Sequence, residues 1–81
     1  MPRPNHHARR AATLRISRGY AMDIVRSLGE QDRVMGDTDA PAEQLARWRQ
    51  SGRECGDVAL VTALDLLGAD AEPIYARARG R

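Results

Sequence analysis

Leaving Met1 aside, nineteen large apolar or aromatic side chains are spread over 81 residues, and this shortage constrains the fold more than any motif does. Leu, Ile and Val together make fourteen of the 81, and there is no Phe. Such a share lies below the level where disorder becomes an option, but that rule applies with high net charge. Here the formal net charge is only +2. The expectation is one thin-cored domain of marginal stability. Chains of this size often gain stability from a partner or from self-association.

The apolar residues that are present follow helical spacing. Ala12, Ile16, Tyr20, Ile24 and Leu28 recur every four residues, with Ala21 and Val25 beside them. That pattern predicts a helix from Ala8, ended by Gly29. Residues 1–7 hold two prolines and no periodicity, and read as an extended basic arm before a helical domain over 8–81. Glu30 to Asp37 reads as a loop with one helical turn. Asp39 as N-cap, Pro41 in the first turn and Glu43 near the positive end of the dipole mark a second helix. Leu45 and Trp48 share its face, and Gly52 is expected to end it, with 53–56 a connection. Asp57 caps a third helix over about 57–67, apolar nearly all round and hence expected at the centre. Gly68 closes it. Asp70 then caps a short last helix that tolerates Pro73 in its first turn and packs back through Ile74, Tyr75 and Ala78. The fold class is all-α: a compact bundle of about four short helices.

Thirteen arginines stand against no lysine. This removes the P-loop lysine and Schiff-base chemistry. Every basic side chain is a guanidinium suited to carboxylate or phosphate. Thirteen alanines and a single Asn accompany them, which is also the residue usage of a GC-rich coding sequence. Position therefore says more than number. Residues 1–18 carry Arg3, Arg9, Arg10, Arg15 and Arg18 and no acid; residues 19–76 carry five arginines against eleven acids; Arg77, Arg79 and Arg81 close the chain. Basic ends flank an acidic middle. Such asymmetry suits an acidic protein surface or a nucleic acid, and equally a fold-back onto the same chain or a second copy.

Other sites are weaker. The single Cys55 excludes an intrachain disulfide and fits a reducing, cytoplasmic setting; no general base accompanies it in sequence. His6 and His7 are adjacent and lack metal-ligand spacing. Val58 to Leu67 is too short and too polar to span a bilayer, and the basic start lacks the apolar run of a secretory leader. Asp65, alone within an apolar helix, is expected to face solvent or a guanidinium. Leu60 to Arg79 has the outline of a helix-turn-helix. A recognition helix, however, presents donors at its N-terminal end, and here Asp70, Glu72 and Pro73 stand there, so an ordinary helical hairpin accounts for it. Thr13-Leu14-Arg15-Ile16-Ser17 alternates polar and apolar residues and resembles the short strand that opens a ribbon-helix-helix DNA-binding dimer. The resemblance would set Thr13, Arg15 and Ser17 in the major groove, but it covers five residues, and Gly19-Tyr20 departs from the pattern.

No cofactor, metal site or catalytic pair is expected, and the chain reads as a non-enzyme. The leading expectation is a small protein-binding module or inhibitor acting through a charge-patterned, arginine-rich surface. Phages and mobile elements use small chains of this kind to block nucleic-acid-handling machines such as a polymerase or a CRISPR effector. Arg9, Arg10, Arg15, Arg18, Trp48, Arg77 and Arg79 are the contact candidates, with tryptophan and arginine favoured as interface anchors. Trp48 can equally plug a core this thin, and Tyr20 and Tyr75 read as core-edge residues with wet hydroxyls. The alternative is a small dimeric DNA-binding regulator using the basic N-terminal segment or a helix-turn-helix variant.

Overall fold

The computed structural model describes residues 15–80. The expected arm over 1–7, the helix start at Ala8, and Arg9, Arg10, Ala12, Thr13, His6, His7 and Arg81 lie outside the described residues. Within them the chain is all-helical, with no strand. Helix α1 spans Arg18–Met35 and α2 spans Pro41–Cys55. Helical residues then continue from Val58 to Gly80: α3 (Val58–Leu67), a 3-10 turn (Gly68–Asp70) and α4 (Ala71–Gly80). The chain is thus organised as three helical stretches, the last redirected at Gly68, rather than four independent helices.

Local chemistry sets these boundaries. Ser17 is extended, at φ −73° and ψ 159°, and its Oγ accepts the Tyr20 N–H at 3.0 Å, so α1 starts there. Residues 15–17 form no strand within the single chain, and Thr13 and Leu14 of the ribbon-helix-helix resemblance lie outside the described residues. The helix does not stop at Gly29. It runs about two further turns to Gly36, which turns left-handed at φ 78° and returns its N–H to Arg33. The expected loop over 30–37 is therefore largely helix. Likewise α2 passes through Gly52 and ends at Gly56, left-handed at φ 73°. Its N-cap is Ala40, without a side-chain hydrogen bond; Asp39 is not the cap. Asp57 does cap α3, accepting the Leu60 N–H at 3.1 Å.

Gly29 and Gly52 are helix-crossing points, not stops. A Cβ on Gly29 would lie 2.6 Å from the Ala78 Cβ and 2.7 Å from the Tyr75 carbonyl oxygen. One on Gly52 would lie 3.0 Å from a Val61 methyl. The missing side chains let α4 close on α1 and α3 close on α2. Substituting a side chain at the first crossing would drive two backbones apart.

The core is as thin as the composition implies. Ala21, Val25 and Leu28 of α1 meet Leu60, Ala63, Leu64 and Leu67 of α3 and Ala71 and Tyr75 of α4. Leu45, Trp48 and Ile74 pack against this cluster from its edge. Helix α1 packs most extensively on α4 and next on α3. It, and not the third helix, is the spine. Although α3 is apolar nearly all round, Val58 and Leu66 face outward, about half exposed at 53% and 45%. The α1 stripe is also rotated from the expected one. Ala21, Val25 and Leu28 point inward, while Tyr20 is half exposed and Ile16 and Ile24 sit at the margin.

Candidate functional site

The inward face of α1 continues beyond Leu28 at helical spacing, and the next position is Asp32. It is the one buried charged residue among the described ones, 5% exposed. A carboxylate in such a place requires donors. Three side chains supply them to Oδ2: the Tyr75 hydroxyl at 2.5 Å, the Trp48 indole N–H at 2.8 Å and the Gln44 amide at 3.2 Å. One aspartate thereby ties α1 to α2 and α4. Tyr75 is fully buried, so its hydroxyl is not wet as the sequence suggested. Burial, and then the hydrogen bond to Asp32, push its pKa above the ordinary value.

Arg79 adds a second layer. Its guanidinium lies 5.1 Å from the Tyr75 ring centroid, and Nη1 donates to Asp37 Oδ1 at 3.3 Å. Asp37 also accepts the Asp39 N–H at 2.8 Å, which fixes the α1–α2 loop. The Arg79 side chain is only 13% exposed. Arg79 is therefore held inside the fold and is withdrawn from the contact surface expected of it.

The other candidates are dispersed. Arg18 is exposed and ion-paired with Asp70, which is the last residue of the 3-10 turn that leads into α4. Arg15 and Arg77 are exposed and make no salt bridge among the described residues. Asp65, expected to face solvent or a guanidinium, is exposed and also meets Arg49 at 3.0 Å. Asp39 pairs with Arg47, whose pKa that hydrogen bond raises. Cys55 is an exposed thiol in the last turn of α2, not in a connection. The helix-turn-helix outline exists as α3, turn and α4. However, α4 buries Ala71 and Tyr75 and exposes Glu72 and Pro73 at its start.

Trp48 is the one aromatic candidate that the fold sets beside open space. Its ring, with Tyr20, Ile24, Leu28, Ala59 and Leu60, lines a groove of about 420 Å³ between α1, α2 and α3. The Asp32 hydrogen bond fixes the indole from behind. Ser27, Gln31 and Asp57 supply the polar rim. Spacing along α1 carries this signal, since Tyr20, Ile24, Ser27 and Gln31 share one face. The buried Asp32 was also legible as the polar member of the 21–25–28–32 series, but a helix stop at Gly29 hid it.

Among the described residues no group of three His, Cys, Asp or Glu side chains is placed to hold a metal ion. No helix there is long and apolar enough to cross a membrane. No protein-family model, curated protein or solved structure matches this chain.

Proposed function

We propose that this protein is a small non-enzymatic binding module that takes a protein partner in the Tyr20–Trp48 groove, in keeping with a role as an inhibitor of a larger assembly. The observation that carries the reading is the fixation of Trp48. Tryptophan and tyrosine are frequent interface anchors, and an anchor already held in one rotamer loses less entropy when a partner binds. Here the indole N–H is engaged by Asp32 at 2.8 Å while the ring borders the groove. Tyr20 lines the same groove and is 51% exposed. Arg15 and Arg77, exposed and without acidic partners among the described residues, suit carboxylates on an acidic protein surface. The titratable cluster around Asp32 is buried and its donors are already engaged, which favours a structural role for it over a catalytic one.

The test compares the wild type with Tyr20→Glu, which places a charge at the groove without touching the buried cluster. Circular dichroism should show the same fold for both. Proteins retained by immobilised wild type and lost with Tyr20→Glu are the expected result. The reading is overturned if both retain the same proteins. It is also overturned if the wild type binds a mixed-sequence DNA duplex with micromolar affinity that collapses with added salt, since the DNA-binding alternative would then lead.

A further inference from the structure

Among the described residues no element packs over the outward face of α3, where Val58 and Leu66 are exposed and Thr62 half-buried between them. Val58, Thr62 and Leu66 follow one another at four-residue spacing and form a stripe about 12 Å long at 1.5 Å per residue. Ala59 flanks it on one side and Val61 and Asp65 on the other. From Val58 to Leu67 the only charge is Asp65. Thr62, small and central, allows a second helix to come close. The Tyr20–Trp48 groove adjoins this stripe at Ala59 but takes none of Val58, Thr62 or Leu66 from α3.

Charge along one flank indicates what fits. Arg53, Val58, Val61, Thr62 and Asp65 border a single shallow hollow, together with Gly52, Gly56 and Asp57. Arg53 stands toward the N-terminal end of α3 and Asp65 toward its C-terminal end. Arg53 makes no salt bridge among the described residues, and Asp65 keeps 58% of its side chain exposed beside Arg49. Asp57 shares the Arg53 end, but its carboxylate is turned to the Leu60 N–H. A two-fold axis through Thr62 reverses the helix while keeping this flank on the same side. It sets Val58 against Leu66 of the other copy, and Arg53 against Asp65 of the other copy, twice. The surface is self-complementary, as an isologous dimer requires. Antiparallel helices also align their dipoles favourably.

We propose that α3 is the docking surface for a second copy of this chain, paired antiparallel through Val58, Thr62 and Leu66 and held in register by reciprocal Arg53–Asp65 contacts. The thin core supports the same conclusion. Among the described residues, three of the nine buried apolar ones are alanines, and small domains commonly gain stability by oligomerising.

Light scattering on the full chain across a concentration series tests this. The wild type should approach twice the 9.0 kDa chain mass, and Leu66→Glu should stay at the chain mass with an unchanged helical spectrum. Arg53→Glu and Asp65→Arg should each weaken self-association about tenfold by setting like charges together, and the double variant should restore it. Tyr20→Glu should dimerise as the wild type does, which separates this surface from the groove. A wild type that remains at the chain mass overturns the proposal. So does a Leu66→Glu variant that dimerises as the wild type does, or a charge-swapped double variant no better than either single one.

Discussion

Tyr75 donates its hydroxyl to Asp32 across 43 residues of chain, 2.5 Å from Oδ2, and this bond joins α4 to α1 between two buried side chains. Trp48 reaches the same oxygen from α2. With so few large apolar residues, the chain does not fix its three helical stretches by packing alone. A single buried carboxylate specifies how they meet, because an arrangement that separates it from its donors leaves polar groups unsatisfied in the interior.

Removing that acceptor is therefore expected to be costly. Asp32→Ala strips the partner from the fully buried Tyr75 hydroxyl and the Trp48 N–H, and the loss should be about 3 kcal/mol, as for hydrogen bonds to a charged group. Asp32→Asn keeps one acceptor oxygen and should lose less. Urea denaturation followed by circular dichroism would order the three proteins. Equal midpoints would show that the cluster does not specify the fold.

The same cluster gives the fold an alkaline limit. Burial, and then Asp32, raise the Tyr75 pKa, while Arg79 acts in the opposite sense and is outweighed. The folded state thus disfavours the phenolate. Stability from this source is complete below the unfolded value of about 10 and is lost as pH rises from there through the folded pKa. The sequence contains no lysine, so no ammonium titrates over the same range. The denaturation midpoint should fall above about pH 10, and Tyr75→Phe should flatten that slope while lowering stability at neutral pH.

Gly29 and Gly52 should respond differently to alanine. Each substitution gains about 1 kcal/mol of helix propensity. At Gly29 the new methyl would sit 2.7 Å from the Tyr75 carbonyl oxygen, which cannot move without α4. Overpacking of about 1–3 kcal/mol should outweigh the gain and lower the melting temperature. At Gly52 the nearest atom is a Val61 methyl at 3.0 Å, which can give way, so Gly52→Ala should be close to neutral. Thermal melts of the two variants would show the contrast.

These glycines also show where the sequence was hard to read. Helical character, the Asp57 cap, the exit at Gly68 and the thin core were legible because spacing and capping chemistry are local. A glycine that ends a helix and a glycine at a helix crossing look alike in sequence. The difference lies in what approaches from a distant segment, Ala78 for Gly29 and Val61 for Gly52. Reading Gly29 as a stop placed Asp32 in a loop and hid the cluster. Trp48 stood out by residue type alone, but its anchoring by Asp32 depends on α1 continuing past Gly29. The rotation of the α1 stripe was equally hidden, since the 20–24–28 and 21–25–28 series both satisfy helical periodicity.

Caps supply the last contrast. Ser17 and Asp57 each accept a backbone N–H in the first turn, at 3.0 and 3.1 Å. Ser17→Ala and Asp57→Ala should each lower stability by about 1 kcal/mol. Asp39 and Asp70 occupy similar sequence positions before a helix, yet their carboxylates serve exposed ion pairs with Arg47 and Arg18. Such exposed pairs contribute little and are screened by salt. Asp39→Ala and Asp70→Ala should therefore shift the denaturation midpoint little, and less still in high salt, whereas the Ser17→Ala loss should persist there. A large, salt-insensitive loss at Asp39 would mean that it caps α2 in solution after all.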